Sequence, residues 1–189
     1  MSHPPAKLAI LDRDGVINQD SDDYIKSPEE WIPIEGSLQA IARLNRAGYR
    51  VFVATNQSGL GRGLFSIETL HRIHHRMVDE LERHGGHVDG ILFCPHVPEE
   101  QCDCRKPKPG LLMEIAQRVN QGLKGVPVIG DSYRDLQAGL AVEALPILVR
   151  TGKGERTLQE RGRELGKTPV FADLSSAVDM LINRETNPS

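Results

Sequence analysis

Short apolar runs that do not alternate with polar residues set the strongest limit on this fold. Leu8-Ala9-Ile10-Leu11, Val51-Phe52-Val53-Ala54, Ile91-Leu92-Phe93, Val126 to Ile129 and Ile147-Leu148-Val149 are strand-length and apolar throughout. A strand with one wet face alternates, whereas one covered on both faces does not. Between the runs lie stretches at helical spacing. Ser37 to Ala47 places Leu38, Ile41, Ala42 and Leu44 on one side and stops at Gly48. Ser66 caps a helix striped by Leu70, Ile73, Met77 and Leu81 and closed by Gly85-Gly86. Leu112, Ile115, Ala116 and Val119 mark another helix, and weaker ones are expected over Tyr133 to Val142, Thr157 to Leu165 and Ser175 to Ile182. Val170-Phe171 adds a short sixth strand. Strands alternating with helices predict an α/β fold, a doubly wound parallel sheet covered on both faces. With no repeat or linker, residues 1–189 read as a single domain.

A chain of 189 residues can bury about 70 % of its unfolded surface and needs no disulfide staples. Twenty-three basic against 26 acidic side chains leave a net charge of −3. That balance argues against nucleic acid and membrane surfaces as partners, since both are held by concentrated positive charge. No apolar stretch approaches the ~20 residues needed to cross a bilayer. Met1-Ser2-His3-Pro4-Pro5 lacks a signal-peptide pattern, and three cysteines cannot pair completely. A cytoplasmic protein is expected.

Parallel sheets bind ligands at the carboxyl ends of their strands. Here those ends read Asp12-Arg13-Asp14-Gly15, Thr55-Asn56-Gln57-Ser58-Gly59 and Gly130-Asp131, the last followed by Asp135. The loop after the third strand supplies Arg105-Lys106-Pro107-Lys108-Pro109-Gly110. Any one of these is ordinary turn chemistry. Together they suit phosphoryl transfer from a monoester. Asp12 can attack phosphorus, and Asp14 can protonate the leaving alkoxide and then deprotonate water. Oxygen ligands from Asp12 and Asp131 suit Mg2+, while Thr55 and Lys106 can hold the phosphoryl oxygens. A non-catalytic, zinc-stabilised binding module is the alternative from another class, and it predicts no phosphate release.

In this order the motifs resemble those of the haloacid dehalogenase (HAD) phosphatases, over roughly Lys7 to Arg150. The resemblance implies Asp12 as nucleophile, Asp14 as acid and base, and Mg2+ held by Asp12, Asp131 and the Asp14 backbone carbonyl. It also implies that Asp135 orients Lys106 from behind, that Lys106 rather than Lys108 is the catalytic lysine, and that the cap is minimal.

All three cysteines fall within eleven residues, as Cys94-Pro95-His96 and Cys102-Asp103-Cys104. Cys94, His96, Cys102 and Cys104 read as a closed, structural Cys3His zinc site. Zinc there would stiffen the excursion that ends at Arg105 and Lys106. His71, His74 and His75 have a spacing compatible with metal, but a solvated helix face is expected. Gly59, Gly61 and Gly63 lack a dinucleotide pattern and read as a turn, or as amides approaching an anion.

Zinc-loop members of the superfamily include sugar-bisphosphate phosphatases of lipopolysaccharide precursor synthesis and histidinol-phosphate phosphatases. Thr55 to Gly63 and Lys106 to Gly110 favour the sugar enzymes, with histidinol phosphate as the alternative. That resemblance places Arg105 on a second phosphate, Asp20 to Tyr24 beside the sugar, and Asn56 and Ser58 at the phosphate end. A monomer acting on a small phosphosugar is expected.

Overall fold

Every residue of β1 (Leu8–Leu11) is buried, because helices cover the sheet on both sides of it. The structure, a computed structural model, describes residues 6–186. After β1 come α1 (Ser37–Arg46), β2 (Arg50–Asn56), the single turn α2 (Ser58–Gly61) and α3 (Ile67–Arg83). β3 (Gly90–Cys94), α4 (Gly110–Val119), β4 (Pro127–Gly130) and α5 (Tyr133–Leu140) follow. β5 (Leu145–Val149), α6 (Gly154–Arg161), β6 (Val170–Phe171) and α7 (Leu174–Thr186) complete the order. The expected alternation is present: β1 matches its apolar run, β4 is shifted by one residue, and β2, β3 and β5 extend two or three residues beyond theirs.

The six strands are parallel in the order β3-β2-β1-β4-β5-β6. Chain direction across the sheet reverses at β1 and β4, and the crevice beyond their carboxyl ends is where such sheets bind ligands. Period-two alternation sends Ala9 and Leu11 to one core, with Val53, Ile129 and Ile147, under Ile41, Ile73, Met77 and Val178. Leu8 and Ile10 face the other core, with Phe52, Leu92 and Val128, under Leu112 and Ile115. Ser66 caps α3 as expected, its Oγ accepting from Thr69 N at 3.2 Å.

Two excursions rise over the crevice. One joins β1 to α1 and carries a 3-10 turn at Pro28–Glu30 under which Trp31 is buried. The other joins β3 to α4 and carries the cysteines, with a 3-10 turn at Pro98–Glu100. Neither is a domain-sized insertion, in keeping with a minimal cap.

Candidate active site

Asp12 is the first residue beyond β1, and its N–H still donates to Ile129 O of β4 at 2.9 Å. That ladder bond brings Asp12 beside Asp131, the first residue beyond β4. Gly15, at φ +81°, lets the chain turn away at once; a Cβ there would lie 2.0 Å from Asp131 Oδ2. Oxygens of Asp12, Asp131 and Asp135 lie within 4.8 Å of one another.

Lys106 enters from the opposite side and is buried. Its Nζ stands 3.1 Å from Asp12 Oδ1 and 2.6 Å from Asp135 Oδ1, and donates to Ala54 O at 2.7 Å. Asp135 is fully committed, because its Oδ2 accepts from Ser132 N and Oγ at 3.0 and 2.7 Å. Asp135 therefore orients the lysine, and Asp12 and Asp131 keep oxygens turned to the cleft. One ammonium serves a cluster of three carboxylates, half-buried Asp12 and buried Asp131 and Asp135, and pairs directly with Asp12 and Asp135. Burial raises Asp12 to about 7 against the pull of Lys106, with Asp135 and Asp14 adding repulsion. Burial, Asp135 and Asp12 together raise Asp131 to about 8. An all-oxygen donor set with surplus negative charge fits a hard divalent cation such as Mg2+.

Asp14 is held differently. Arg13 grips it bidentately, Nε to Oδ1 at 3.0 Å and Nη2 to Oδ2 at 3.1 Å. Asn18 Nδ2 donates to Oδ1 at 2.9 Å and Gln57 Nε2 to Oδ2 at 3.0 Å. Burial would raise its pKa, but Arg13, Asn18 and Gln57 outweigh that and hold it below the ordinary value. Gln57 also donates to Thr55 Oγ1 at 2.9 Å, which leaves the buried Thr55 hydroxyl proton for another acceptor.

Asp20, Tyr24, Asn56, Ser58 and Arg105 all line the same cleft. Asn56 has a second duty: its amide clamps the Lys106 backbone, accepting from Lys106 N and donating to Lys106 O, each at 3.1 Å. Three lining residues were given no role by the reading of strand ends. Lys153, beyond β5, pairs with Asp20 at 2.9 Å, and its N–H donates to Asp131 Oδ2 at 2.7 Å. Gln57 bridges Thr55 and Asp14. Arg134, one residue into α5, borders the mouth beside Arg105. Lys153 follows the carboxyl end of β5, a parallel strand like the others, but only the pairing of β5 with β4 brings it to Asp131.

The expectation of a solvated histidine face fails at one position. His71 and His75 are exposed, but His74 is buried, with Nε2 3.2 Å from Arg13 Nη1. Position 74 lies four residues after Leu70 and three before Met77, so it belongs to the edge of the buried stripe. Gly59 and Gly61 serve packing: Gly59 lies against the Phe65 ring, and Gly61 N–H donates to Pro95 O at 3.0 Å.

The cysteine loop closes on itself. Cys94 Sγ is 3.5 Å from His96 Nδ1 and 3.5 Å from Cys102 Sγ. Cys104 Sγ is 3.2 Å from His96 Nδ1 and 3.5 Å from Cys102 Sγ. A tetrahedron with Zn–S of about 2.3 Å and Zn–N of about 2.0 Å has edges of about 3.5–3.8 Å, so these donors fit zinc through His96 Nδ1. The loop is tied to the site where Arg105 Nη1 donates to His96 O at 3.3 Å.

Two family models match the chain. The polynucleotide kinase 3 phosphatase family covers residues 7–133, and a HAD-hydrolase-like family covers residues 103–177. A D-glycero-beta-D-manno-heptose-1,7-bisphosphate 7-phosphatase from Pseudomonas putida is 55 % identical over 176 residues, 93 % of this chain and 99 % of that one. The chain belongs to this 7-phosphatase family of the HAD superfamily.

Solved members of the 7-phosphatase family agree in fold. The D,D-heptose 1,7-bisphosphate phosphatase of Bordetella bronchiseptica, complexed with magnesium and phosphate, superposes with a TM-score of 0.90 at 51 % identity. The match covers 94 % of this chain and 99 % of that one. The Burkholderia thailandensis enzyme gives 0.73 at 45 % identity, over 93 % and 98 %. The Bordetella enzyme holds magnesium and phosphate, and the cleft of this chain brings the carboxylates of Asp12, Asp14 and Asp131 together with Lys106 and Thr55.

Proposed function

We propose that the chain removes the 7-phosphate of D-glycero-β-D-manno-heptose 1,7-bisphosphate through an aspartyl-phosphate, in the lipopolysaccharide precursor pathway. The observation that carries this reading is the Lys106 ammonium held between Asp12 and Asp135, within a family whose members bear that name. Asp12 Oδ forms a bond to phosphorus as the ester P–O bond breaks, and Asp14, ionised in the free site, takes up a proton as the phosphate dianion binds and passes it to the departing sugar oxygen. Water then attacks phosphorus, Asp14 takes its proton back, and the Asp12–P bond breaks to release phosphate. Lys106 and the Thr55 hydroxyl stabilise the phosphoryl oxygens in both steps. Asp12, Asp131 and the Asp14 carbonyl would hold Mg2+, which would supply the positive charge that lets a carboxylate approach a phosphate dianion.

Zinc in the Cys3His loop would fix Arg105 over the mouth, where it meets the substrate's second phosphate. No helix among the described residues is long and apolar enough to cross a membrane. The substrate in this reading is a small phosphosugar, with a monomer in the cytoplasm as the expected form of the enzyme. Assay with Mg2+ should release one phosphate from the bisphosphate and leave the heptose 1-phosphate. Faster hydrolysis of histidinol phosphate, or loss of the 1-phosphate, would overturn it.

A further inference from the structure

Arg13 is the only residue of the Asp12-Arg13-Asp14 motif that does not reach the cleft. Its side chain is 0 % exposed. Three of its nitrogens are used: Nε and Nη2 on Asp14, and Nη1 on His74 Nε2. Arginine only donates, so His74 Nε2 accepts and the imidazole carries its proton on Nδ1. Burial and the Arg13 charge lower the His74 pKa to about 3, which keeps the ring neutral at working pH. The helix dictates the rest. α3 packs its buried stripe against the sheet, and His74 is the polar residue of that stripe, with Phe93 of β3 at a centroid distance of 6.0 Å.

We propose that His74 is a positioning residue for the Asp14 carboxylate, acting through Arg13. A guanidinium is a planar fork, so fixing its third corner fixes the plane in which the other two hold a carboxylate. Asn18 and Gln57 complete the grip from either side, but each contributes a single bond to one oxygen. Without the His74 acceptor, Arg13 Nη1 is buried and unpaired, and the fork turns to find another partner. Asp14 turns with it. The proton that Asp14 gives the leaving oxygen must then travel along a poorer line, and misplacement by about 1 Å can cost 10²-fold.

The inference rests on the acid role given to Asp14 above, and its test separates the two. A sugar alkoxide needs a proton as it leaves, whereas p-nitrophenolate does not. The useful quantity is kcat/KM, which covers only the steps through release of the alcohol. Asp14→Asn should lose far more kcat/KM on heptose bisphosphate than on p-nitrophenyl phosphate. His74→Leu keeps the apolar volume and removes the acceptor; it should lose about tenfold on the sugar ester and less than twofold on the aryl ester. His74→Gln can place Oε1 near the position of Nε2 and should restore most of the loss. Equal losses on both esters in His74→Leu would mean a merely structural histidine and would overturn the proposal, even with Asp14→Asn behaving as expected. Failure of Asp14→Asn to discriminate between the esters would overturn the acid assignment and the proposal with it. If the leucine variant does not fold, the glutamine variant decides: it must retain the wild-type ratio between the two esters, and a changed ratio with the bond restorable would refute the role.

Discussion

Asp135 Oδ1 lies 2.6 Å from Lys106 Nζ, and neither residue is more than 3 % exposed. This contact, shorter than the 3.1 Å one to Asp12 Oδ1, shares the ammonium between the two carboxylates. Asp135→Asn leaves Lys106 with Asp12 as its one ionic partner, so the lysine should move onto Asp12 and fill the phosphoryl site. Breaking a buried pair of this kind costs about 3 kcal/mol, and kcat should fall about 100-fold. Denaturant unfolding and steady-state assay check both. Near wild-type values in each would show that Asp135 does not hold the lysine.

Asp12→Asn is the isosteric test of the nucleophile. Turnover should vanish while the melting temperature holds or rises, because the change removes a charge that burial, Asp135 and Asp14 all disfavour. Wild-type turnover in this variant would exclude an aspartyl-phosphate on Asp12.

The two metal sites should respond differently to chelation. Mg2+ bound by carboxylates with several of its own waters exchanges readily, so mild EDTA should stop turnover and added Mg2+ should restore it. Zinc held by four protein donors should survive that treatment and appear by elemental analysis at one per chain. Cys102→Ser should remove it and lower stability, since structural zinc contributes folding free energy.

Low pH should act through His74. Its folded pKa, about 3, lies below the unfolded value of roughly 6.5, so the unfolded chain binds the extra proton between them. Stability from this group is complete above pH 6.5 and is lost as pH falls towards 3. At pH 5 the loss is about 2 kcal/mol. His74→Leu should lack that component, so the wild type should lose more stability than the variant between pH 7.5 and 5. Parallel curves would place the imidazole in contact with water.

Which parts of this site could be read from sequence follows from how each residue reaches it. Asp12, Thr55 and Asp131 end their strands, so sheet geometry alone brings them together. Lys106 and the four zinc donors declare themselves by residue type and spacing. Lys153 also follows a strand, but its importance depends on β5 lying beside β4, which local pattern does not state. His74 was misread because a histidine at the edge of an apolar stripe looks solvated until its partner, 61 residues away in sequence, is known. The Asn56 clamp on the Lys106 backbone is likewise invisible: residue type alone suggests an asparagine facing substrate.

Arg105 and Arg134 provide the sharpest test of specificity. Burial and then the nearby Arg134 charge hold Arg105 below its ordinary pKa, so the two guanidiniums repel across the mouth of the cleft. Arg134 has no carboxylate partner among the described residues, and Arg105 is held only by the His96 carbonyl of the zinc loop. Two unpaired cations side by side invite a dianion, and a second phosphate supplies one. Binding there would be remote from the reacting phosphorus and would serve to align the 7-phosphate with Asp12. Arg105→Ala should lower kcat/KM for the bisphosphate by one to two decades, the worth of a charge-assisted contact of about 1.5–3 kcal/mol. Arg134 is exposed and screened, so Arg134→Ala should lose about tenfold at most. Neither should change p-nitrophenyl phosphate hydrolysis more than twofold. An equal loss on the aryl ester would place both arginines at the reacting phosphate and leave the second one unrecognised.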